Sequence, residues 1–217
     1  MTMLQPIVYS IISVALVASC SVMEPRPAPP LRTVRVTVVA DPALRQADPG
    51  WRATASDLLR ATSDYWEDEF NIRLIPTAIE SWPLEETTSS SVTLMQLLKE
   101  SYPRRAGHGQ ADVVIGLTRQ RVNFYNGGRA RADRIGNCSG GLGNYIVSYV
   151  IEPFTYDGDN INHDVLALVH EVGHLFGAVH TANPASVMNG SFAFRTGFDE
   201  ENRAMVMKNR RCSFAEE

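Results

Sequence analysis

The segment His170–His180, which reads HEVGHLFGAVH, is the part of this 217-residue chain that decides its fold. Three of the five histidines of the protein lie in it. In an α-helix four residues advance about 6 Å and turn about 400°, so His170 and His174 lie one above the other on the same face. Two imidazoles in this position can bind one metal ion, which predicts a metal-binding helix here.

Three further residues of the segment complete a catalytic pattern. Glu171 is turned about 100° from His170, so its carboxylate can approach a water on the metal without being a ligand. Gly177 has no Cβ and can take a positive φ, which allows the helix to end and the chain to turn back. His180 then supplies a third nitrogen. Three neutral imidazoles leave a tetrahedral Zn²⁺ with one open position, so we predict one catalytic zinc ion bound by His170, His174 and His180.

The alternative interpretation of this segment is an amphipathic core helix that carries histidines without a metal. The fixed glycine and the third histidine make the pattern far more specific than H-E-x-x-H alone. A cluster of three imidazoles is also costly to bury unless a metal binds it. We therefore favour the metal site.

The same residues resemble the metzincin zinc endopeptidases, whose signature is HExxHxxGxxH. Pro184 and Met188 follow His180 by four and eight residues, as in the matrixin branch of that group. The resemblance implies that Met188 forms the Met-turn, a thioether packed beneath the zinc ligands and not bound to the metal. Asn189 stands where matrixins have a tyrosine, so we assign no tyrosine to the site.

The order of the predicted elements is that of an α/β protein. Residue patterns predict strands at Leu31–Ala40, Ile72–Ile79, Asp112–Leu117, Arg134–Cys138 and Tyr145–Ile151. They predict helices at Trp51–Phe70, Val92–Leu98, from Asn162 through His170 and His174, and Asp199–Arg210. The resemblance implies a metzincin-like α/β (α+β) fold, with a twisted mixed sheet, a long zinc-binding helix and a small C-terminal subdomain that ends in a helix.

A substrate-binding strand is expected just upstream of the zinc helix, because in metzincins an edge strand there pairs with extended substrate. Arg134–Cys138 is the best candidate, with Gly136 permitting close approach of the backbone. Main-chain hydrogen bonds would give affinity independent of sequence, so the expected partner is a polypeptide bound as an extended strand. A plain surface hairpin is the alternative.

The N-terminus is predicted to be a targeting segment. Residues 7–17 are mostly apolar and too short for a confident membrane span, and Val17-Ala18-Ser19-Cys20 resembles a bacterial lipobox. The resemblance implies a signal peptide at 1–19, lipidation of Cys20 and a place in the cell envelope, with Ser21 favouring the outer membrane. An ordinary signal peptide on a secreted protein and an uncleaved anchor are the alternatives.

Two parts follow the predicted signal peptide. Residues 20–30 contain the proline-rich stretch EPRPAPP, which predicts an extended tether of about 3 Å per residue. Residues 31–217 are long enough for one catalytic domain. A net charge of −4 without a basic cluster argues against nucleic acid. We expect a monomer that contacts the membrane through the lipid anchor only.

Cys138 and Cys212 could pair, since an envelope protein meets an oxidising environment. Such a bridge would connect the loop before the site to the C-terminal tail. Two unpaired thiols are the alternative, because a sequence does not give the distance between them.

Residues Tyr156–Asn160, which read YDGDN, are acidic enough to suggest weak calcium binding. Five residues rarely provide six oxygen ligands, so we favour a turn that leads into the zinc helix.

These features predict a zinc metalloendopeptidase in which Glu171 is the general base. The competing hypothesis is a surface lipoprotein that binds zinc or a protein without catalysis. The intact Glu171 argues against it. An amidase with the same metal chemistry is a third hypothesis, which the predicted substrate strand disfavours.

Overall fold

A computed structural model describes residues 31–85, 88–103, 111–124, 129–191 and 195–216. The predicted signal peptide at 1–19, the lipidation site Cys20 and the tether at 20–30 lie outside these residues. Within the described ranges, no helix combines the length and apolar character needed to cross a membrane.

The described residues form a five-stranded mixed sheet with the strand order β2-β1-β3-β5-β4. Its strands are β1 (Arg32–Ala40), β2 (Ile72–Ser81), β3 (Val113–Thr118), β4 (Ala130–Ala132) and β5 (Tyr145–Tyr149). The helices are α1 (Pro42–Ala47), α2 (Trp51–Phe70), α3 (Ser91–Ser101), α4 (His163–Leu175) and α5 (Glu200–Asn209). The first four strands in the order run parallel, and β4 pairs antiparallel with β5 at the edge.

Helices cover both faces of the sheet. Val34, Val36 and Val38 of β1 belong to the larger core cluster, which also contains the buried residues of α2 and α4. Val39 belongs to a second cluster on the opposite face, together with Leu94 and other residues of α3. Side chains of a strand alternate between faces, and burying each valine contributes about 1.5–3 kcal/mol. The larger cluster therefore holds α4, which carries two of the three predicted zinc ligands, firmly against the sheet.

The predicted α/β fold is confirmed, and most predicted elements lie within a few residues of those observed. The short helix α1 was not predicted, although its signals are present. Asp41 caps it by accepting a hydrogen bond from the Leu44 backbone, and Pro42 occupies its first turn.

The prediction of a strand at Arg134–Cys138 is wrong, because the edge strand is Ala130–Ala132. The Gly136 N–H donates to the carbonyl of His174, so this segment packs against the end of α4 instead of extending the sheet. A Cβ on Gly136 would lie 1.9 Å from the Leu175 carbonyl oxygen. The glycine therefore permits close approach to the zinc helix and not to a substrate.

The start of α4 contains a buried carboxyl group. Asn162, where the helix was predicted to begin, caps it by accepting from the Val165 N–H, and Asp164 accepts a hydrogen bond from the Ile151 N–H. Asp164 is buried, with 1% of its surface exposed. Burial raises its pKa to about 6, although the bond from Ile151 and the positive charge of Arg129 act in the opposite direction. The charged form of Asp164 therefore costs folding free energy.

This cost predicts a pH-dependent effect of Asp164→Asn. The pKa of Asp164 is about 6 in the folded protein and lies above the ordinary 3.8, so folding favours the protonated form. The stability that this preference contributes is complete below pH 3.8 and is lost as the pH rises through 6. The variant keeps the oxygen that accepts from Ile151 but cannot ionise. Its gain in free energy of unfolding over wild type should grow by about 3 kcal/mol between acidic and neutral pH.

Urea unfolding at several pH values checks this prediction. Asp68→Asn, on the exposed face of α2, is the control and should show no such trend. A gain for Asp164→Asn that stays constant with pH would contradict the prediction.

Candidate metal centre and active-site cleft

His170, His174 and His180 converge through their Nε2 atoms. The His170–His180 and His174–His180 Nε2 separations are 3.1 Å and 3.2 Å. Three nitrogens that each lie about 2 Å from one tetrahedral ion are about 3.3 Å apart, so this donor set fits Zn²⁺. No other group of three or more metal-ligating side chains is found among the described residues.

In His170 and His174, the second ring nitrogen, Nδ1, faces a backbone carbonyl oxygen. His170 Nδ1 lies 2.7 Å from the Val187 oxygen, and His174 Nδ1 lies 2.8 Å from the Ala178 oxygen. Because a carbonyl only accepts, Nδ1 carries the proton and Nε2 keeps its lone pair. Burial lowers the pKa of both histidines to about 4, so both rings are neutral at pH 7. Neutral imidazoles with converging lone pairs are suited to bind a cation.

The turn after α4 brings the third histidine to the other two. Gly177 has φ +96°, and a Cβ there would lie 2.4 Å from Asn209 Nδ2 and 2.6 Å from the Gly136 carbonyl oxygen. Beyond this turn, the Val179 N–H donates to the Asn202 side chain, which donates in return to the Val179 carbonyl. These two bonds from α5 fix the chain directly before His180, which is exposed.

Met188 is fully buried and packs against the backbone of α4. A Cβ on Gly173 would lie 2.8 Å from its sulfur, so the helix can meet the thioether only at a glycine. The Met188 N–H donates to Ser186 Oγ, and that hydroxyl donates to Asp199 at 2.6 Å. Asp199, the N-cap of α5, therefore also holds the turn that presents the Val187 carbonyl to His170.

Glu171 lies beside the histidines and opposite the edge strand. It is 7% exposed, and its Oε2 accepts a hydrogen bond of 2.5 Å from the Ala132 N–H. Burial raises the pKa of Glu171 to about 7, while the bond from Ala132 and the positive charge of Arg131 lower it. A carboxylate with this pKa can both accept and release a proton near neutral pH.

A cleft of about 550 Å³ runs between β4 and α4 and is lined by the three histidines, Glu171 and the turn after Met188. The Arg129 carbonyl and the Asp133 N–H both bond to β5. Backbone groups alternate in direction along an antiparallel strand, so those of Ala130 and Ala132 face the open edge. The structure therefore provides main-chain donors and acceptors along one wall of the cleft.

A disulfide joins Cys138 and Cys212, whose Cα atoms are 5.0 Å apart. It connects the loop that contains Gly136 to the residues after α5. The loop contacts the end of α4 through the Gly136 N–H, and Asn209, the last residue of α5, donates to the Phe176 carbonyl. The bridge closes a loop of 74 residues, and such a bridge typically contributes about 2–5 kcal/mol to stability.

The acidic stretch before α4 forms a turn through its own backbone. Asp157 accepts hydrogen bonds from the N–H groups of Asp159 and Asn160. This agrees with the turn that the sequence favoured, and weak calcium binding there stays the disfavoured alternative.

Several contributors to the site were not predicted from the sequence. They are the Ala132 N–H, the carbonyls of Ala178 and Val187, and the Ser186–Asp199 bond. The first three are backbone groups, which leave no residue signature. Asp199 entered the sequence analysis only as the first residue of a predicted helix, and it is the N-cap of that helix as well.

The fold and the three-histidine site define a metzincin-like metallopeptidase. A family model described as metallo-peptidase family M12 matches residues 30–214. The chain therefore belongs to this family and is a metalloprotease, a hydrolase that by its family requires a metal.

Two solved structures resemble the fold. Archaemetzincin from Methanopyrus kandleri matches with a TM-score of 0.54 and 19% identity, over 82% of this chain and 96% of that chain. A chain from a structure described as a chaperone–substrate complex matches with a TM-score of 0.56 and 13% identity, over 82% of this chain but 34% of the other. At these identities the similarity concerns the fold alone. No match to a curated protein was found.

The packing at Gly177 predicts that Gly177→Ala destabilises the protein more than Gly158→Ala. Both glycines have positive φ, +96° and +106°, so both substitutions pay a similar backbone cost of about 1 kcal/mol. A Cβ at position 158 meets no atom within 4 Å, whereas one at position 177 meets backbone and Asn209. Gly177→Ala should therefore lower the free energy of unfolding by about 2 kcal/mol more.

Urea unfolding of the metal-free proteins measures this difference without a contribution from metal binding. Equal losses for the two variants would show that the close packing at the end of α4 does not matter for stability.

Proposed function

We propose that the protein is a zinc-dependent endopeptidase that hydrolyses polypeptides with Glu171 as the general base. The observation that carries this proposal is that the Nε2 atoms of His170 and His174 both lie within 3.2 Å of His180 Nε2, beside a buried carboxylate. Membership of a metallopeptidase family supports it.

His170, His174 and His180 would hold the zinc ion. When bound, zinc lowers the pKa of a coordinated water and polarises a substrate carbonyl. Glu171 takes a proton from the attacking water at its carboxylate and then delivers it to the leaving amine. Its pKa of about 7 allows it both to accept and to release a proton near neutral pH.

The substrate would bind along the open edge of β4. Ala130 offers its N–H and carbonyl there, and Ala132 offers its carbonyl, because the Ala132 N–H already donates to Glu171. An extended peptide that adds as a further strand would place one of its carbonyls over the metal site. This role now falls to Ala130–Ala132 and not to Arg134–Cys138.

We further propose that the enzyme acts in the bacterial cell envelope as a monomer held by a lipid on Cys20. The Cys138–Cys212 disulfide supports an oxidising compartment, since such bridges are rare in the cytosol. A secreted form without lipid is the alternative. Assignment to the matrixin branch rests on Pro184 and Met188 and stays a prediction.

Glu171→Gln should retain zinc and fold normally but lose peptide hydrolysis by about 10²–10⁴-fold, because glutamine cannot accept the proton. Quenched fluorescent peptides measure turnover, and atomic spectrometry measures bound zinc. Glu201→Gln, on the exposed face of α5, is the matched control and should cleave like wild type. Wild-type turnover by Glu171→Gln would overturn the general-base role.

His180→Ala should weaken zinc binding by more than about 100-fold, because it removes a direct ligand. Competition with a fluorescent chelator measures the affinity. His163→Ala is the control in the same chain region, since His163 is exposed at the start of α4. If both variants bound one zinc ion with wild-type affinity, the metal site would lie elsewhere.

The competing function, a surface protein that binds zinc without catalysis, makes the opposite prediction for the wild type. It requires no turnover of any peptide even when one zinc ion is bound. Chelator-sensitive cleavage by the purified wild type therefore excludes it.

A further inference from the structure

Three arginines line the active-site cleft of a chain whose net charge is −4. They are Arg129, Arg131 and Arg134, and Glu171 is the one carboxylate among the described residues that line the cleft. Clefts lined by one sign of charge focus the electric field and attract ligands of the opposite sign. The basic lining is therefore a local feature and does not follow from the overall composition.

The arginines follow the strand along which a substrate would lie. Arg131 is the middle residue of β4, and Arg129 and Arg134 flank that strand on its two sides. An extended peptide on the open edge would pass all three. Arg129 and Arg134 interact with carboxylates of the protein itself, namely Asp164 and Asp133. The positive charge of Arg131 interacts with Glu171, the carboxylate that lines the cleft itself.

The basic surface continues beyond the strand. A second recess of about 560 Å³ shares Arg129 with the cleft and adds Arg121, next to the aromatic rings of Phe124 and Tyr149. Arg119 lies over the Tyr149 ring, 5.8 Å from its centroid. A peptide that extends past Ala130 would therefore meet further positive charge.

We propose that this cleft selects polypeptides with aspartate or glutamate next to the cleaved bond, and that Arg131 is a specificity-determining residue. The inference rests on the proposed peptidase function and deepens it by naming the substrate class. Strand pairing gives affinity for any sequence, whereas the arginines discriminate by charge.

The test uses two quenched peptides that differ only by Asp and Glu against Asn and Gln on both sides of the same cleavable bond. The zinc-loaded wild type should cleave the acidic peptide with a kcat/KM about tenfold higher, as expected for one charge pair at a solvated site. The ratio should fall as salt is raised, because ions screen the interaction. Equal rates on both peptides would overturn the inference.

Variants of Arg131 assign the effect to this residue. Arg131→Gln should bring the ratio of the two kcat/KM values close to one, Arg131→Glu should reverse it, and Arg131→Lys should restore it. Arg211→Gln is the matched control, since Arg211 is exposed and does not line the cleft, and it should keep the wild-type ratio. A wild-type ratio in Arg131→Gln would exclude Arg131 as the determinant.

A binding measurement separates this inference from the proposed function. Zinc-loaded Glu171→Gln should bind the acidic peptide about tenfold more tightly than the neutral one in fluorescence anisotropy. If the wild type cleaved neither peptide but this preference persisted, the peptidase proposal would fail and the charge selectivity would stand. If cleavage occurred without any preference in binding or rate, the selectivity alone would fail.

Discussion

The hydrogen bonds from His170 and His174 to backbone carbonyls are the interactions on which the site depends. Each bond fixes the proton on Nδ1, orients the ring and leaves a lone pair on Nε2. Converging lone pairs repel one another unless a cation lies between them. The remaining structure must therefore supply enough packing and hydrogen bonding to keep the rings in place before any metal binds.

Close backbone packing at the C-terminal end of α4 supplies much of that constraint. Gly136, Gly173 and Gly177 each lie where a Cβ would come within 3 Å of a neighbouring atom. Gly136 brings the upstream loop against α4, Gly173 admits the Met188 sulfur, and Gly177 turns the chain back. The histidine side chains of this region thus supply the metal ligands, and the three glycines permit the close backbone packing that positions them.

The sequence predicted what depends on side-chain type and spacing, and it missed what depends on backbone position. The period of apolar residues located α2, and the predicted start at Asn162 agrees with the observed start of α4. The edge strand was misplaced because Ala-Arg-Ala at 130–132 has no β-branched residue and is only three residues long. Three residues held by pairing to β5 alone leave little local pattern, although they form one wall of the cleft.

The C-terminal helix α5 holds the segment that leads to the third ligand, His180. Of the three buried residues of α5, two are asparagines and one is Val206, so little apolar surface attaches this helix. Asn202 bonds to the backbone of Val179, and Asn209 bonds to the carbonyl of Phe176. Directional bonds of this kind contribute about 1 kcal/mol each, but they specify position more strictly than apolar contact.

The Cys138–Cys212 bridge adds a covalent link to the hydrogen bonds that hold α5. Asp199, the N-cap of α5, also orients the Val187 carbonyl through Ser186. A shift of α5 would therefore move both His180 and the carbonyl that accepts a hydrogen bond from His170. The positions of His180 and of the carbonyl that orients His170 therefore both depend on α5. The disulfide connects α5 to the loop that contains Gly136, and the Gly136 N–H donates to the carbonyl of the remaining ligand, His174.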